Sequence, residues 1–298
     1  MSIVHVTIAG GGTLGSQISW QTAFSGFNVV VYDAFDSGIE QCKDLHDRYS
    51  KIYLDEMDAS QNQIKETYDR LSYTTNLADA VKDADLVSES IPEDPEIKKA
   101  FYKELAVVAP EKTIFTTNSS TTIPSMYARE TGRPDMFLAL HFANQIWKAN
   151  IGEVMGHKDT DPEIFEIVVQ FTRDIGMVPI ILKKEHSGYV INSLLVPFLT
   201  AAIDLMANDI ASPEDIDKTW MIGMGGPIGP AAIMDMIGMK TVYDVCKLID
   251  KQENTEESSK RVKFIYENFI KEEKMGMIVG EGIYSYPNPD FTKKNFLK

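Results

Sequence analysis

An apolar, β-prone run, Ile3-Val4-His5-Val6-Thr7-Ile8-Ala9, leads directly into Gly10-Gly11-Gly12-Thr13-Leu14-Gly15 and then into a helix-like apolar repeat. A G-x-G-x-x-G between a strand and a helix constrains this chain more than any other feature, because each glycine answers a separate steric demand. Gly10 allows the tight turn, Gly12 lets the backbone approach a pyrophosphate, and Gly15 lets the helix pack closely on the strand. Thr13 and Leu14 open the helix, whose N-terminus favours the negative charge. A second strand ends in Asp33, where this fingerprint expects an acid about 20 residues on to hydrogen-bond the ribose 2′-hydroxyl. A carboxylate there repels a 2′-phosphate, so the motif predicts a Rossmann domain with NAD, not NADP, as cofactor.

The rest of the chain fits around that motif. Short β-branched runs alternate with helical patterns to about residue 185, the signature of parallel βαβ units. Strands are expected at Val4 to Ala9, Asn28 to Tyr32, Asp85 to Ser88, Thr113 to Thr116, Met136 to Leu140 and Val178 to Leu182. The polar stretch Asp36 to Arg70 carries Ile39, Cys42, Leu45, Tyr49 and Ile52 at helical spacing, so it reads as a helical excursion from the sheet. After His186 helix signals dominate. Tyr189 to Asn208 has a nearly continuous apolar face, and Ser212-Pro213-Glu214-Asp215 starts a helix with Ser at the N-cap and Pro at the first position. Further helices are expected over Ala231 to Ile249 and Asn254 to Lys274. The expected fold is an α/β Rossmann-type N-terminal domain, 1–185, followed by an all-α domain, 186–298, for substrate and dimerisation.

Bulk chemistry removes several function classes. With 44% apolar and 24% charged residues the chain is in the globular range, and its formal charge of −15 argues against nucleic acid or an anionic membrane as partner. Cys42 and Cys246, the only two cysteines, lie far apart and without metal-ligand spacing. Neither a disulfide framework nor a metal site is expected, and a reducing, cytoplasmic compartment is. No basic n-region precedes the first strand and no 18-residue apolar stretch occurs, so neither a signal peptide nor a membrane span is expected. The apolar helices of the second half carry more surface than one helical layer hides, which predicts a homodimer.

Oxidation of an alcohol needs a base for the hydroxyl proton, and histidine suits neutral pH. Of the five histidines, His5 lies within a strand, His46 in the helical excursion, and His157 and His186 in turn-like segments. His141 instead follows the apolar run Phe137-Leu138-Ala139-Leu140 at its carboxyl end, the edge of an open α/β sheet where ligands bind. Glu153 sits among Ile151, Val154 and Met155, where a carboxylate without a partner is costly. A His141–Glu153 pair would satisfy both groups, as a catalytic dyad or as a structural ion pair. Ser119 and Ser120 follow another strand at the same edge, but such serines are often caps. Ser120 is not in a G-x-S-x-G elbow, so no hydrolase triad follows.

Together these residues resemble the short-chain L-3-hydroxyacyl-CoA dehydrogenase family, which includes 3-hydroxybutyryl-CoA dehydrogenases. Ile114-Phe115-Thr116-Thr117-Asn118-Ser119-Ser120 is similar to the family's I-F-A-S-N-T-S-S. Leu140-His141-Phe142 with Glu153 is similar to its L-H-F-F-N-P and following acid. Gly188-Tyr189-Val190-Ile191-Asn192 is similar to its G-F-I-V-N, and later stretches, Ser212 to Lys218, Gly226 to Pro230 and Gly280 to Tyr284, follow in the same order. The resemblance implies that His141 is the acid-base group, that Glu153 orients it and supports its charge, and that Ser120 and Asn192 bind the reacting oxygen of the substrate. It also implies that Glu93, Lys98, Asn118, Ser120 and Asn144 lie along the ribose and nicotinamide side of NAD.

The sequence departs from that pattern in places that bear on substrate. H-F-F-N-P-V becomes His141-Phe142-Ala143-Asn144-Gln145-Ile146, which predicts a differently shaped loop. P-G-F becomes Ser187-Gly188-Tyr189, the arginine after the asparagine becomes Ser193, and F-G-K-K becomes Met275-Gly276-Met277-Ile278. The excursion that in the family helps hold coenzyme A carries nine acids and five bases between Asp36 and Arg70. The leading expectation is reversible hydride transfer between NAD and an L-3-hydroxyacyl-CoA. A free 3-hydroxy acid or sugar acid is the alternative substrate. A noncatalytic NAD-binding protein is the third reading, and it leaves the His141–Glu153 pair without a use.

Overall fold

The computed structural model describes residues 2–298 and divides into two compact units, Met1–Val190 and Ile191–Lys298. The division falls a few residues beyond the expected 185/186, because the segment through Val190 hydrogen-bonds back to the first unit.

The first unit runs β1 (His5–Ala9), α1 (Thr13–Phe24), β2 (Asn28–Tyr32), α2 (Asp36–Glu56), α3 (Gln61–Asp69), β3 (Leu71–Thr74), α4 (Leu77–Val81), β4 (Leu86–Glu89), α5 (Pro95–Val108), β5 (Ile114–Thr117), β6 (Phe137–Phe142), β7 (Ile151–Met155), α6 (Pro162–Asp174) and β8 (Val178–Leu182). These strands form one sheet in the order β3-β2-β1-β4-β5-β6-β7-β8. All pairings are parallel except β6 with β7. The strand order reverses between β1 and β4, and the ends of β1, β4, β5 and β6 face one edge, where open α/β sheets bind ligands.

Helices cover both faces, so the central strands β4 and β5 are buried along their whole length. Val6, Ile8, Leu138, Leu140, Val168 and Phe171 pack on one side, and Val87, Tyr102, Leu105, Phe115 and Phe137 on the other. Burying each such side chain stabilises the sheet by about 1.5–3 kcal/mol. Two strands were not anticipated. β3 is half-buried Leu71-Ser72-Tyr73-Thr74 at the sheet margin, too short and polar to show a period. β7 was seen only as the surroundings of Glu153, and its glycine and acid hide its strand pattern.

The excursion is two helices, with Ser60 capping α3 in a reciprocal box with Gln63. It holds a buried aromatic cluster of Trp20, Tyr49 and Tyr53. His46, expected to be structural or solvated, is fully buried beside it. Its Nε2–H donates to the Ser16 carbonyl at 3.0 Å, and its Nδ1 accepts from the Tyr73 hydroxyl at 2.7 Å. Burial pushes the imidazole down from 6.5 to about 4, against the opposing pull of the Ser16 carbonyl and the Asp47 charge. The unfolded chain therefore binds the extra proton first. Stability from this site is intact above about pH 6.5 and declines as pH falls toward 4, by about 3 kcal/mol in all. Urea unfolding of wild type and His46→Gln across that interval checks it. The difference between the two curves shrinks with acidity, and parallel curves would show that His46 is not the group.

The second unit runs α7 (Ile191–Ala207), α8 (Pro213–Met224), α9 (Pro230–Ile237), α10 (Met239–Glu253) and α11 (Glu256–Ile265), then a π turn over Tyr266–Ile270. Ser212 caps α8 as its sequence implies. The segment expected as one helix from Ala231 to Ile249 is broken at Gly238, whose φ of +95° ends α9 and starts α10. The segment expected from Asn254 likewise starts at Glu256, since Asn254 takes the left-handed turn that closes α10. Asp217, fully buried on α8, accepts from the backbone N–H groups of Ala231 and Ala232 and from the Tyr284 hydroxyl, and so caps α9 from across the core. Among the described residues no helix is long and apolar enough to cross a membrane.

Candidate active site

The glycine turn joins β1 to α1 at the sheet edge. Gly10 sits at φ +107°, and a Cβ there would overlap the Ser90 carbonyl. A Cβ on Gly15 would overlap the Gly10 carbonyl oxygen, so this glycine is demanded by packing. Gly12 is different: a Cβ there meets nothing within 4 Å. The protein does not require Gly12 to be bare, whereas a pyrophosphate lying on the turn does. No side chain caps α1 and no acid lies in its first turn, so its N-terminal N–H groups, from exposed Thr13 and half-buried Leu14 onward, suit an anion. Asp33, at the end of β2, accepts from Gly11 N–H at 2.8 Å and Phe35 N–H at 3.1 Å. Those bonds fix its carboxylate beside the turn and leave lone pairs for a ribose hydroxyl. The residues present therefore fit NAD.

His141 is the penultimate residue of β6, and antiparallel pairing sets Glu153 of β7 directly opposite it. Directly opposed residues share a face, so the sheet register itself makes the pair. His141 Nδ1–H donates to Glu153 Oε2 at 2.8 Å, and the Val190 N–H donates to Glu153 Oε1 at 2.8 Å. With Nδ1 carrying the proton, Nε2 presents its lone pair and accepts from the Ser120 hydroxyl at 3.2 Å. Glu153 and His141 are 1% and 4% exposed, so the carboxylate is held by protein alone. Tyr189 stacks on the imidazole with ring centres 4.5 Å apart, 21° from parallel. The arrangement is a tautomer-fixed base with one nitrogen open toward a polar hydroxyl, suited to moving a proton to or from an alcohol oxygen.

Polar residues brace this edge. Asn118, after β5, accepts the Phe142 N–H at 2.9 Å and donates to Ser90 Oγ at 3.2 Å, tying the ends of β4, β5 and β6. Gln17 of α1 donates to Asn144 Oδ1 at 2.7 Å and accepts the Gln145 N–H at 2.7 Å. Gln145 takes φ +60°, which proline cannot adopt, and its N–H is a donor that proline lacks. The loop after His141 thus has a shape the H-F-F-N-P sequence could not follow. Exposed Asn144 is held in this loop by Gln17.

Glu93 is partly exposed near Ser120, but Lys98 is 1% exposed, its ammonium between Glu89 at 2.5 Å and Glu93 at 3.2 Å. Asn192 lies in the first turn of α7, in the helical unit. Sequence reasoning missed Glu89, Tyr189 and the Val190 N–H. The acid ending an otherwise apolar strand was the available signal for Glu89, and tyrosine in the G-F-I-V-N stretch was the signal for Tyr189.

Comparison with known proteins identifies the family. The model of the 3-hydroxyacyl-CoA dehydrogenase NAD-binding domain matches residues 5–186, and that of the 3-hydroxyacyl-CoA dehydrogenase C-terminal domain matches residues 188–286. The human mitochondrial hydroxyacyl-coenzyme A dehydrogenase is 32% identical over 95% of this chain and 91% of its own length. A solved diketoreductase structure, described for dual catalysis of dicarbonyl compounds, superposes with a TM-score of 0.91 at 45% identity, over 96% of this chain and 100% of that one. The (S)-3-hydroxybutyryl-CoA dehydrogenase of Ralstonia eutropha superposes at 0.84 with 26% identity, over 96% and 100%. With a cofactor turn that fits NAD, a buried His141–Glu153 pair at the sheet edge and both halves matched, the chain is an NAD-dependent oxidoreductase belonging to the 3-hydroxyacyl-CoA dehydrogenase family.

Proposed function

We propose that His141 is the acid-base group for reversible oxidation of an L-3-hydroxyacyl-CoA to its 3-oxo form. When bound, NAD supplies the hydride acceptor, with Gly10 through Gly15 and Asp33 holding its adenosine diphosphate portion. His141 Nε2 takes the hydroxyl proton in oxidation and returns it in reduction. Glu153 keeps Nδ1 protonated, orients the ring and supports the imidazolium charge, while Ser120 donates to the reacting oxygen. Glu93, Asn118 and Asn144 shape the nicotinamide end. The carrying observation is the buried His141–Glu153 pair, with Nε2 aimed at Ser120.

A second reading is supported by the 45% identity to the diketoreductase. The acidic excursion favours it too, since nine acids against five bases suit a CoA phosphate poorly. On this reading the substrate is a CoA-free 3-hydroxy acid or dicarbonyl. NADH oxidation with acetoacetyl-CoA, acetoacetate and an uncharged 1,3-dicarbonyl side by side separates the two. Acetoacetyl-CoA is expected to give the highest kcat/KM, and turnover confined to the CoA-free compounds overturns the leading reading.

The helical unit leaves Leu194, Ile222 and Met224 at 70%, 63% and 71% exposure. Such residues support a homodimer through this unit. Sedimentation at micromolar concentration is expected to give twice the chain mass, and a monomer there rejects it. Buried, unpaired Cys42 and Cys246 fit the reducing cytoplasm as compartment.

A further inference from the structure

Glu89 is the last residue of β4, in the middle of the ligand-binding edge, and it is completely buried. A lone carboxylate there would be prohibitive, and this one is surrounded. Oε1 accepts from Lys98 Nζ at 2.5 Å and from the Ile91 N–H at 2.9 Å. Oε2 accepts from the Tyr102 hydroxyl at 3.0 Å and the Thr117 hydroxyl at 2.8 Å. Two strand ends and helix α5 therefore converge on one charge.

The network continues outward through Lys98. Its ammonium also reaches Glu93 Oε2 at 3.2 Å. The other oxygen of Glu93 gathers the turn after β5: the Ser119 hydroxyl donates to it, as do the Ser120 N–H at 3.1 Å, the Thr121 N–H at 3.1 Å and the Thr121 hydroxyl at 2.8 Å. Three successive residues are thus wrapped around a single carboxylate oxygen. The middle one is Ser120, whose hydroxyl lies 3.2 Å from His141 Nε2. The position of Glu93 sets that hydroxyl, and Lys98 sets Glu93.

We propose that the buried Glu89–Lys98 pair is a positioning device for the reaction: it anchors Glu93, and through it the Ser119–Thr121 turn, so that Ser120 meets the reacting oxygen beside His141. Glu89 is completely buried and reaches the site only through its protein partners. A fixed donor gains its value from placement, and a displacement on the order of 1 Å can cost 10²-fold in rate. Glu89→Gln keeps the side-chain shape but removes the charge that holds the ammonium. Lys98 is then drawn toward Glu93 alone, and the turn shifts with it.

The inference rests on the proposed roles of His141 and Ser120, so its test is a double-mutant cycle with Ser120→Ala, using whichever carbonyl substrate the wild type reduces with NADH. Glu89→Gln is expected to lower kcat/KM by tenfold or more, on the order of the misplacement cost. NADH affinity, read by fluorescence, stays within about threefold, because no cofactor contact is lost. In the Ser120→Ala background the same substitution should change kcat/KM by less than about twofold, since the group it positions is gone. Tyr102→Phe, which deletes one donor to Glu89 and spares the ion pair, gives the same pattern at smaller size and serves if Glu89→Gln does not fold. An undiminished effect in the Ser120→Ala background, or unchanged activity per folded molecule in both variants, overturns the positioning role. If Ser120→Ala alone leaves kcat/KM unchanged, the assignment of Ser120 fails and this inference falls with it. A loss of NADH affinity as large as the loss of kcat/KM returns Lys98 to the cofactor.

Discussion

His141→Gln is expected to lower the rate of hydride transfer by about 10²- to 10⁴-fold while NADH binding stays near wild type. Glutamine can still donate toward Glu153, so the buried carboxylate keeps a partner, but it cannot take a proton from the substrate. The substitution separates the two roles open to the pair. If His141 acts only as the structural partner of Glu153, the variant melts earlier and each folded molecule keeps its turnover. If it is the base, folded protein accumulates and the NADH-linked rate vanishes into background. Stopped-flow NADH oxidation and thermal melting on the same samples decide it, and a folded variant with near-normal turnover would falsify the assignment.

The second large effect concerns two glycines of one turn that fail for different reasons. In Gly15→Ala the new Cβ overlaps the Gly10 carbonyl oxygen, and Gly10 cannot retreat because it is itself wedged against Ser90. Helix α1 must lift from β1, at a cost of about 3 kcal/mol or more, since overpacking against backbone finds no flexible neighbour to yield. For a unit of this size that lowers the melting temperature by roughly 5–10 °C, and NADH binding is lost with the turn. Gly12→Ala meets open space at an ordinary φ of −69°, so the cofactor-free protein should melt as wild type does. Its Cβ nevertheless occupies the surface proposed for the pyrophosphate, and NADH affinity should fall at least tenfold, by about 1.4 kcal/mol. Calorimetry without cofactor and NADH titration give both readings. Equal melting losses in the two variants would mean that Gly12 is bare for packing as well.

Some positioning could not be anticipated from neighbouring residues. Tyr189 stacks on His141 and the Val190 N–H holds Glu153 across a separation of tens of residues, yet the local sequence there announced only a helix start. Lys98 carries the opposite lesson. Its position in the chain matches a cofactor-facing residue, and only the folded chain reveals that it is buried between two carboxylates. In the helical unit the broken helix at Gly238 was hidden because the apolar pattern continues across a glycine whose positive φ interrupts the helix.

What the sequence determined by itself is the content of contiguous segments: the strand, glycine turn and helix that suit NAD, the acid at Asp33, the alternation of strands and helices, and a histidine at the end of an apolar strand. These are legible because steric demands on a turn, and the periods of strand and helix, act between residues a few positions apart. Tertiary structure decided what depends on sheet order and register. It paired β6 with β7 so that His141 and Glu153 stand opposite, drew Glu89, Lys98, Tyr102 and Thr117 from three elements onto one buried charge, and wrapped Ser119 to Thr121 around Glu93. The physical reason is that a buried charge is tolerated only where several distant donors converge, and that convergence exists only once the chain has closed its sheet.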